Sequence, residues 1–248
     1  MNFSKALLVT KLKATGVHLV MSLAIFAYLA YQIVYIWYPE PYFSVDGGLQ
    51  GIRLVAAVDL VLGPLITFLI FDLSKRRLEI IFDLTIIITI QFTALAYGVH
   101  TTYSQRPVAI VLIDEFVLST IEENYAGKLK SVSDLKQFSD EHPPIIYSDL
   151  PTSLKGLEET SRIKVEEGIV EHAQLQLYRG RAELGRALQR RQIQFIGQLD
   201  QYQDRDRFDS WLKLNQKAVE DVLIARFGGR YGSVWLVFDL EGKYLSYF

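Results

Sequence analysis

The chain has 248 residues, of which 50% are hydrophobic and 22% are charged, and its formal net charge is −2. Because there is no excess of basic residues, a nucleic-acid binder that works through a basic surface is excluded. The lack of cysteine excludes a disulfide scaffold, thiolate-bound metals and cysteine catalysis. The mean hydropathy of +0.17 is high for a soluble protein and favours membrane-embedded sequence.

Charged residues are unevenly distributed along the chain. Residues 1–99 carry 7 lysines and arginines and 6 acidic residues, whereas residues 100–248 carry 19 and 22. The sequence therefore predicts a membrane domain over 1–99, followed by a water-soluble domain over 100–248.

Three apolar segments of the first domain are long enough to cross a bilayer, which takes about 20 residues. They cover about 17–38, 54–73 and 80–99. The first segment is longer than the apolar core of a cleaved signal peptide and ends in aromatic residues rather than at a cleavage site. It is therefore interpreted as a retained transmembrane helix.

The basic residues of the short loops predict the orientation of these spans. Three lysines precede the first span, and the basic run 75–77 separates the second from the third. The loop between the first and second spans carries only Arg53. Since positive charge favours the cytoplasmic side, the N-terminus is expected inside and residues 100–248 outside, which is the periplasm in a Gram-negative bacterium.

Asp59 lies inside the second span, where an ionised carboxylate costs about 2.5–3.5 kcal/mol on insertion scales. Three interpretations are open: a hydrogen bond to a neighbouring helix of the same bundle, docking of another protein's transmembrane helix, and proton or ion relay. Relay normally needs a chain of titratable groups, and the spans show no such ladder. Pro64, which follows Gly63, predicts a kink in the same helix.

The loop between the first two spans begins after Trp37 and contains residues that either stiffen or free the backbone. Pro39 and Pro41 favour an extended start. The sequence Asp46-Gly47-Gly48 predicts a turn with positive φ, and Gly51 precedes the next span. The loop is interpreted either as an interfacial segment on the membrane surface or as a docking surface for the soluble domain or a partner.

Several ungapped motifs occur in order across residues 13–115. They are His18 in the first span, Trp37-Tyr38-Pro39-x-Pro41-x-Phe43, Asp46-Gly47-Gly48-x-Gln50-Gly51-x-Arg53, the run from Val58 to Thr67 that includes Asp59 and Gly63-Pro64, and Ser104–Ala109. This pattern resembles the TfpX/TfpZ-type family of type IV pilin accessory proteins. The resemblance implies an inner-membrane protein, encoded beside a major pilin, that helps particular pilins to become stable or assembled; it implies no catalytic residue.

Each candidate partner-binding residue determines the backbone conformation as a glycine or proline, offers an aromatic side chain, or carries a charge within or beside the membrane. They are Trp37, Asp46, Gly47, Gly48, Gly51, Arg53, Asp59 and Pro64. The expected partners are type IV pilin, possibly the pilus assembly machinery, and the membrane itself.

Two β-hairpins are predicted in the soluble domain. One covers 107–120 with a turn at Asp114-Glu115, and the other covers 233–248 with a turn at 241–243. Both are expected to join one small antiparallel sheet, and the chain between them is expected to be mostly helical. One of these helices has apolar residues at helical spacing from Phe208 to Leu223 and is expected to end at Gly228-Gly229. The predicted fold is therefore a three-helix transmembrane bundle followed by an extracytoplasmic α+β domain.

The soluble domain carries no catalytic pattern. The glycine-rich run 227–233 lacks the strand-to-helix order of a phosphate-binding loop and is interpreted as a helix C-cap. The four histidines have no metal-binding spacing, and no nucleophile elbow occurs. No enzyme, cofactor or metal is expected.

The favoured function is a non-enzymatic accessory factor for type IV pilus biogenesis. The alternative is a membrane-anchored periplasmic sensor or regulatory subunit. The predicted cytoplasmic segments are too short to hold an output domain, which disfavours the sensor.

Overall fold

A computed structural model describes residues 5–72 and 75–248, and the chain divides into two compact units. The helical unit consists of Met1–Phe43 and Gly47–Tyr103, and the sheet unit consists of Ser44–Asp46 and Ser104–Phe248. Three residues of the first predicted loop thus belong to the sheet unit. The start of the predicted membrane domain, residues 1–4, and the predicted end of the second span, Leu73, lie outside the described residues.

The helical unit contains three long apolar helices. The first, α1 (Lys5–Tyr31), continues as a π-helical segment (Gln32–Trp37), and a single turn, α2 (Tyr42–Val45), follows. The second consists of α3 (Gly48–Ala56), a π-helical segment (Ala57–Leu62) and α4 (Gly63–Ile70), and the third is α5 (Arg77–Ser104). Leu8–Trp37, Gly48–Ile70 and Arg77–Ser104 are long and apolar enough to cross a membrane, which confirms the three long apolar helices predicted from the sequence.

The irregular segment of the second helix falls beside Pro64. Proline has no backbone N–H, so the helix that precedes it loses a hydrogen-bond donor. Here the π-helical segment ends directly before Gly63-Pro64, and it carries Asp59. Short π-helical segments of this kind frequently occur at functional sites.

The core of the helical unit lies at the junction of α1, α3 and α5. Ile33, Tyr38 and Val55 are buried there, and Trp37 packs beside them. The Tyr38 hydroxyl donates a hydrogen bond of 2.9 Å to the backbone oxygen of Thr102. This bond ties the end of the first helix to the end of the third.

Within the described residues, the sheet unit is built on one mixed sheet of seven strands. They are β1 (Ala109–Ile113), β2 (Phe116–Thr120), β3 (Ile145–Ser148), β4 (Tyr178–Arg179), β5 (Leu223–Gly228), β6 (Ser233–Phe238) and β7 (Tyr244–Tyr247). Their order in the sheet is β4-β3-β1-β2-β5-β6-β7. Three helices, α6 (Leu154–Glu167), α7 (Arg181–Gln201) and α8 (Arg205–Asn215), lie between β3 and β5 in sequence.

Both predicted hairpins are confirmed, as β1–β2 and β6–β7, and they join one sheet. The predicted sheet is too small, however, and its purely antiparallel character is wrong. Strand β3 pairs with β1 in parallel, and β5 pairs with β2 in parallel. Parallel neighbours need long crossover connections. The connection from β2 to β5 contains all three helices, and the connection from β1 to β3 contains strand β2.

The helix predicted from Phe208 to Leu223 is also wrong in its second half. Helix α8 ends at Asn215, and Gln216 adopts a left-handed conformation with φ of 53°. The residues from Leu223 onward form β5, whose first three side chains are all buried. A continuous apolar run suits a strand covered on both faces as well as it suits a helix. The glycine-rich segment after it is consequently the turn of the β5–β6 hairpin and not a helix C-cap.

A chain of hydroxyl groups crosses the core beside β1 and β2. The Tyr178 hydroxyl donates to the backbone oxygen of His172 (2.7 Å) and therefore accepts from the Tyr125 hydroxyl at 2.9 Å. Burial raises the pKa of both phenols, so both remain protonated at neutral pH. The directed chain satisfies polar groups that would otherwise be costly in this core.

Candidate functional site

Asp46 is the centre of the first candidate site. Its side chain is completely buried. Oδ1 accepts hydrogen bonds of 3.1 Å from both the backbone N–H and the Nε of Arg230, while Oδ2 accepts none. The Arg230 guanidinium also donates to the backbone oxygen of Asp46 and to the backbone and side-chain oxygens of Gln105. One arginine thus joins three parts of the sheet unit that are distant in sequence.

The β5–β6 turn holds the residue before Asp46 as well. The backbone N–H of Tyr231 donates to the oxygen of Val45 at 2.9 Å. A Cβ on Gly229 would lie 2.5 Å from that same oxygen, so only glycine permits this approach. We call Val45, Asp46, Gln105, Gly229 and Arg230 the loop anchor.

Sequence reasoning identified Asp46 but missed its partner. Arg230 and Gly229 lie in the glycine-rich run that was interpreted as a helix C-cap. The available signal was an aspartate in the predicted turn of the first loop, together with an arginine in a glycine-rich run far along the chain. Nothing in a single sequence pairs two such residues.

The other candidate residues of the loop contact their own helical unit. Gly47 has φ of 118°, as the predicted turn requires. A Cβ on Gly51 would lie 2.4 Å from Cγ2 of Thr102, and the Trp37 ring packs edge-on against Tyr103 with 5.2 Å between ring centroids. Gly48 is packed against Phe43 and Tyr38, Arg53 is exposed and Pro64 is buried. The close approaches that the glycines permit are therefore used within the chain.

Asp59 is the centre of the second candidate site, where all three long helices meet. Only 1% of the residue is exposed. Oδ1 accepts from Ser22 Oγ at 3.2 Å and from Gln91 Nε2 at 3.0 Å. Hydrogen bonds to neighbouring helices, the first of the three interpretations of Asp59, are therefore present. Ser22 and Gln91 escaped the sequence analysis because a single serine or glutamine in an apolar helix carries no specific signal.

A second polar pair lies in the same unit, where Nδ1 of His18 and Oγ1 of Thr67 are 2.6 Å apart. We call Ser22, Asp59 and Gln91, with this pair, the intramembrane cluster. A cavity of about 590 Å³ adjoins the cluster and is otherwise lined by apolar side chains. Polar residues inside a span commonly mark helix contacts or functional sites.

Both sites consist of polar side chains that hydrogen-bond one another. The loop anchor is one carboxylate held by one guanidinium, and the intramembrane cluster combines a carboxylate and an amide with two hydroxyls and an imidazole. In the parts of the chain that the structure describes, no three histidine, aspartate or glutamate side chains are grouped to hold a metal. The chemistry that both sites offer is recognition through charge and hydrogen bonds.

Comparison with known proteins shows that the sequence is similar to fimbrial assembly proteins. Residues 6–47 match the family described as "Fimbrial assembly protein FimB". The "Fimbrial assembly protein, serogroups C1 and C2" of Dichelobacter nodosus is 40% identical over 99 residues, which are 40% of this chain and 76% of that protein. The chain belongs to this fimbrial assembly family.

Two further relatives from the same organism are considerably longer than the aligned region. The fimbrial assembly proteins of serogroups I and E1 are 40% and 38% identical over 99 residues, and the alignment covers 38% of each. The chain thus spans well under half the length of these two relatives. No solved structure matches the chain.

Proposed function

We propose that the protein is a non-enzymatic accessory factor of the TfpX/TfpZ type that binds type IV pilin in the inner membrane and promotes its stability or assembly. The observation that carries this proposal is the location of the family match. The matched segment, 6–47, contains Val45 and Asp46 of the loop anchor and His18 and Ser22 of the intramembrane cluster. The two candidate sites therefore draw on the part of the chain that is typical of fimbrial assembly proteins.

The role that we propose for each candidate residue follows from its contacts in the structure. Asp46, Gly48 and Gly51 are engaged within the chain and shape the loop, so they act on a partner indirectly. Arg53 is exposed and can contact a partner outside the bilayer. Asp59 retains an oxygen without a hydrogen bond and can contact one inside it.

The proposed location is the bacterial inner membrane, crossed three times, with the N-terminus in the cytoplasm and residues 100–248 in the periplasm. The distribution of basic residues supports this orientation. Alkaline phosphatase fused after Phe248 is expected to be active, because the enzyme folds only outside the cytoplasm. A fluorescent protein at the same position, which folds in the cytoplasm, serves as the reciprocal control. An inactive phosphatase together with a fluorescent partner fusion would contradict the orientation.

Photocrosslinking in cells tests pilin binding directly. A photoreactive residue in place of the exposed Arg53 is expected to form an adduct with pilin upon irradiation. Val165, which is 83% exposed on α6 of the sheet unit, is the matched control position and is expected to form none. Equal capture from both positions, or capture from position 165 alone, would refute the proposed contact at the loop. No pilin adduct from position 53 would also refute the contact at the loop, and the absence of pilin adducts from every exposed position tested on the helical unit would refute the proposed function.

A further inference from the structure

The cavity beside the intramembrane cluster opens at the side of the helical unit. Its walls include Met21 and Ile25 on α1 and Ile88 and Phe92 on α5. These four side chains are 44–71% exposed although they line the cavity. The cavity is therefore a groove between α1 and α5 whose mouth faces outward from the helices. We call it the lateral groove; Asp59 lies at its floor.

The third helix is the least packed of the three, which explains why a groove exists. In the most apolar window of each span, 33% of the second helix is buried inside the unit, against 17% of the first and 6% of the third. The Gln91–Asp59 hydrogen bond connects α5 to the second helix. A volume of about 590 Å³ is in the range of about 300–1,000 Å³ typical of ligand pockets.

Two acceptor atoms beside the groove receive no hydrogen bond. Oδ2 of Asp59 and Oε1 of Gln91 are both buried, and neither has a hydrogen-bond partner. Both atoms are acceptors, so they are complemented only by a donor, and an ammonium or guanidinium would also balance the carboxylate. A lipid acyl chain in the groove would leave both acceptors unsatisfied in an apolar medium, which is unfavourable.

Depth in the membrane distinguishes possible donors. Asp59 lies six residues, about 9 Å of helix rise, beyond Arg53 and eleven residues before Ile70, where the helix ends. An amine on a lipid headgroup resides at the interface, about two helical turns from this level on the side of Arg53. A donor carried by another membrane-spanning helix can be present at this depth permanently.

We propose that the lateral groove binds a transmembrane helix of a partner protein that presents a hydrogen-bond donor, preferably cationic, to Asp59 within the bilayer. The inference rests on the proposed function, under which that helix belongs to the pilin. Met21, Ile25, Ile88 and Phe92 pack against the apolar side of the incoming helix, and small shifts of Asp59 and Gln91 expose their acceptors to the donor. The polar contact then selects helices that carry a donor at the matching level.

Crosslinking from within the groove tests the inference in cells that contain the full-length protein and pilin. A photoreactive residue in place of Phe92 is expected to form an adduct with the transmembrane segment of pilin, identified by mass spectrometry. Tyr97 is the matched control, because it is an equally exposed aromatic residue on the same helix that does not line the groove. Adducts with phospholipid alone, or equal pilin capture from both positions, would overturn the proposal.

Two substitutions test separately the charge of Asp59 and the volume of the lateral groove. Asp59→Asn is expected to lower capture from position 92 at least tenfold, whereas Asp83→Asn, the same change in the acid that pairs with Lys75, is expected to leave it unchanged. Met21→Trp fills the groove without altering its floor and should also abolish capture. Val20 is an exposed neighbour that does not line the groove, so Val20→Trp should leave capture unchanged. Membrane abundance of each variant shows whether it folds, and unchanged capture by both Asp59→Asn and Met21→Trp would overturn the inference.

The outcomes also separate this inference from the proposed function. If position 53 captures pilin and position 92 does not, pilin binding stands and the groove is not its site. If no exposed position tested on the helical unit captures pilin, both proposals are wrong.

Discussion

Arg230→Ala is expected to lower the free energy of unfolding of the sheet unit by about 3 kcal/mol. The substitution leaves the carboxylate of Asp46 buried without its cation, and removal of one partner of a buried pair typically costs about 3–5 kcal/mol. The lower end of this range applies because 34% of the Arg230 side chain is exposed. In thermal unfolding of the detergent-solubilised protein, followed by tryptophan fluorescence, the midpoint should fall by roughly 6–12 °C.

A surface ion pair provides the control for this prediction. Arg186 pairs with Glu183 one turn away on α7, and both side chains are well exposed. Exposed pairs of this kind contribute about 0.2–1 kcal/mol, so Arg186→Ala should move the midpoint little. The double variant Asp46→Leu with Arg230→Met should recover much of the stability, because apolar replacement of a buried pair is often neutral. Equal destabilisation by both arginine substitutions would show that the loop anchor is a surface feature.

The elements that were predicted correctly are those whose signal is local. Three apolar runs of spanning length sufficed for the three long helices, because the bilayer imposes length and composition on each helix separately. Each confirmed hairpin joins residues that are close in sequence, and turn residues such as Gly242 mark the reversal.

The errors concern contacts between distant parts of the chain. The sequence predicts a helix where β5 begins, because burial on both faces removes the alternation that distinguishes strands. Its neighbour β2 lies about a hundred residues earlier, and the pairing of the two is visible only in the fold. The same holds for the loop anchor, in which Asp46 and Arg230 are 184 residues apart.

The candidate sites show the same division. Asp59 could be identified alone, because a carboxylate within a span is costly and therefore noticeable. Its partners Ser22 and Gln91 could not, because a polar residue within a span indicates a helix contact but not which residue it contacts. The lateral groove was out of reach for a further reason: it depends on how closely α5 packs against the other helices, and hydropathy does not report packing.

The second large effect is expected in the helical unit, where Gly51→Ala should lower the free energy of unfolding by about 2 kcal/mol. A Cβ at this position would lie 2.4 Å from Cγ2 and 3.1 Å from Oγ1 of Thr102. Thr102 cannot easily turn away, because its Oγ1 donates a hydrogen bond of 2.8 Å to the backbone oxygen of Gly98. Overpacking of this kind typically costs about 1–3 kcal/mol.

Two matched variants, compared by SDS-induced unfolding followed by circular dichroism, distinguish this steric effect from a backbone effect. Gly16→Ala makes the same change in α1 at a position with no atom within 4 Å of the new Cβ, so it should be neutral or stabilise by up to about 1 kcal/mol. Adding Thr102→Ala to Gly51→Ala removes the two overlapping atoms and leaves Cβ of residue 102 at 3.4 Å, an ordinary contact. Stability should then return toward that of Thr102→Ala alone. If the double variant is as unstable as the sum of the single changes, Gly51 is required for its backbone and not for the packing of the second helix against α5.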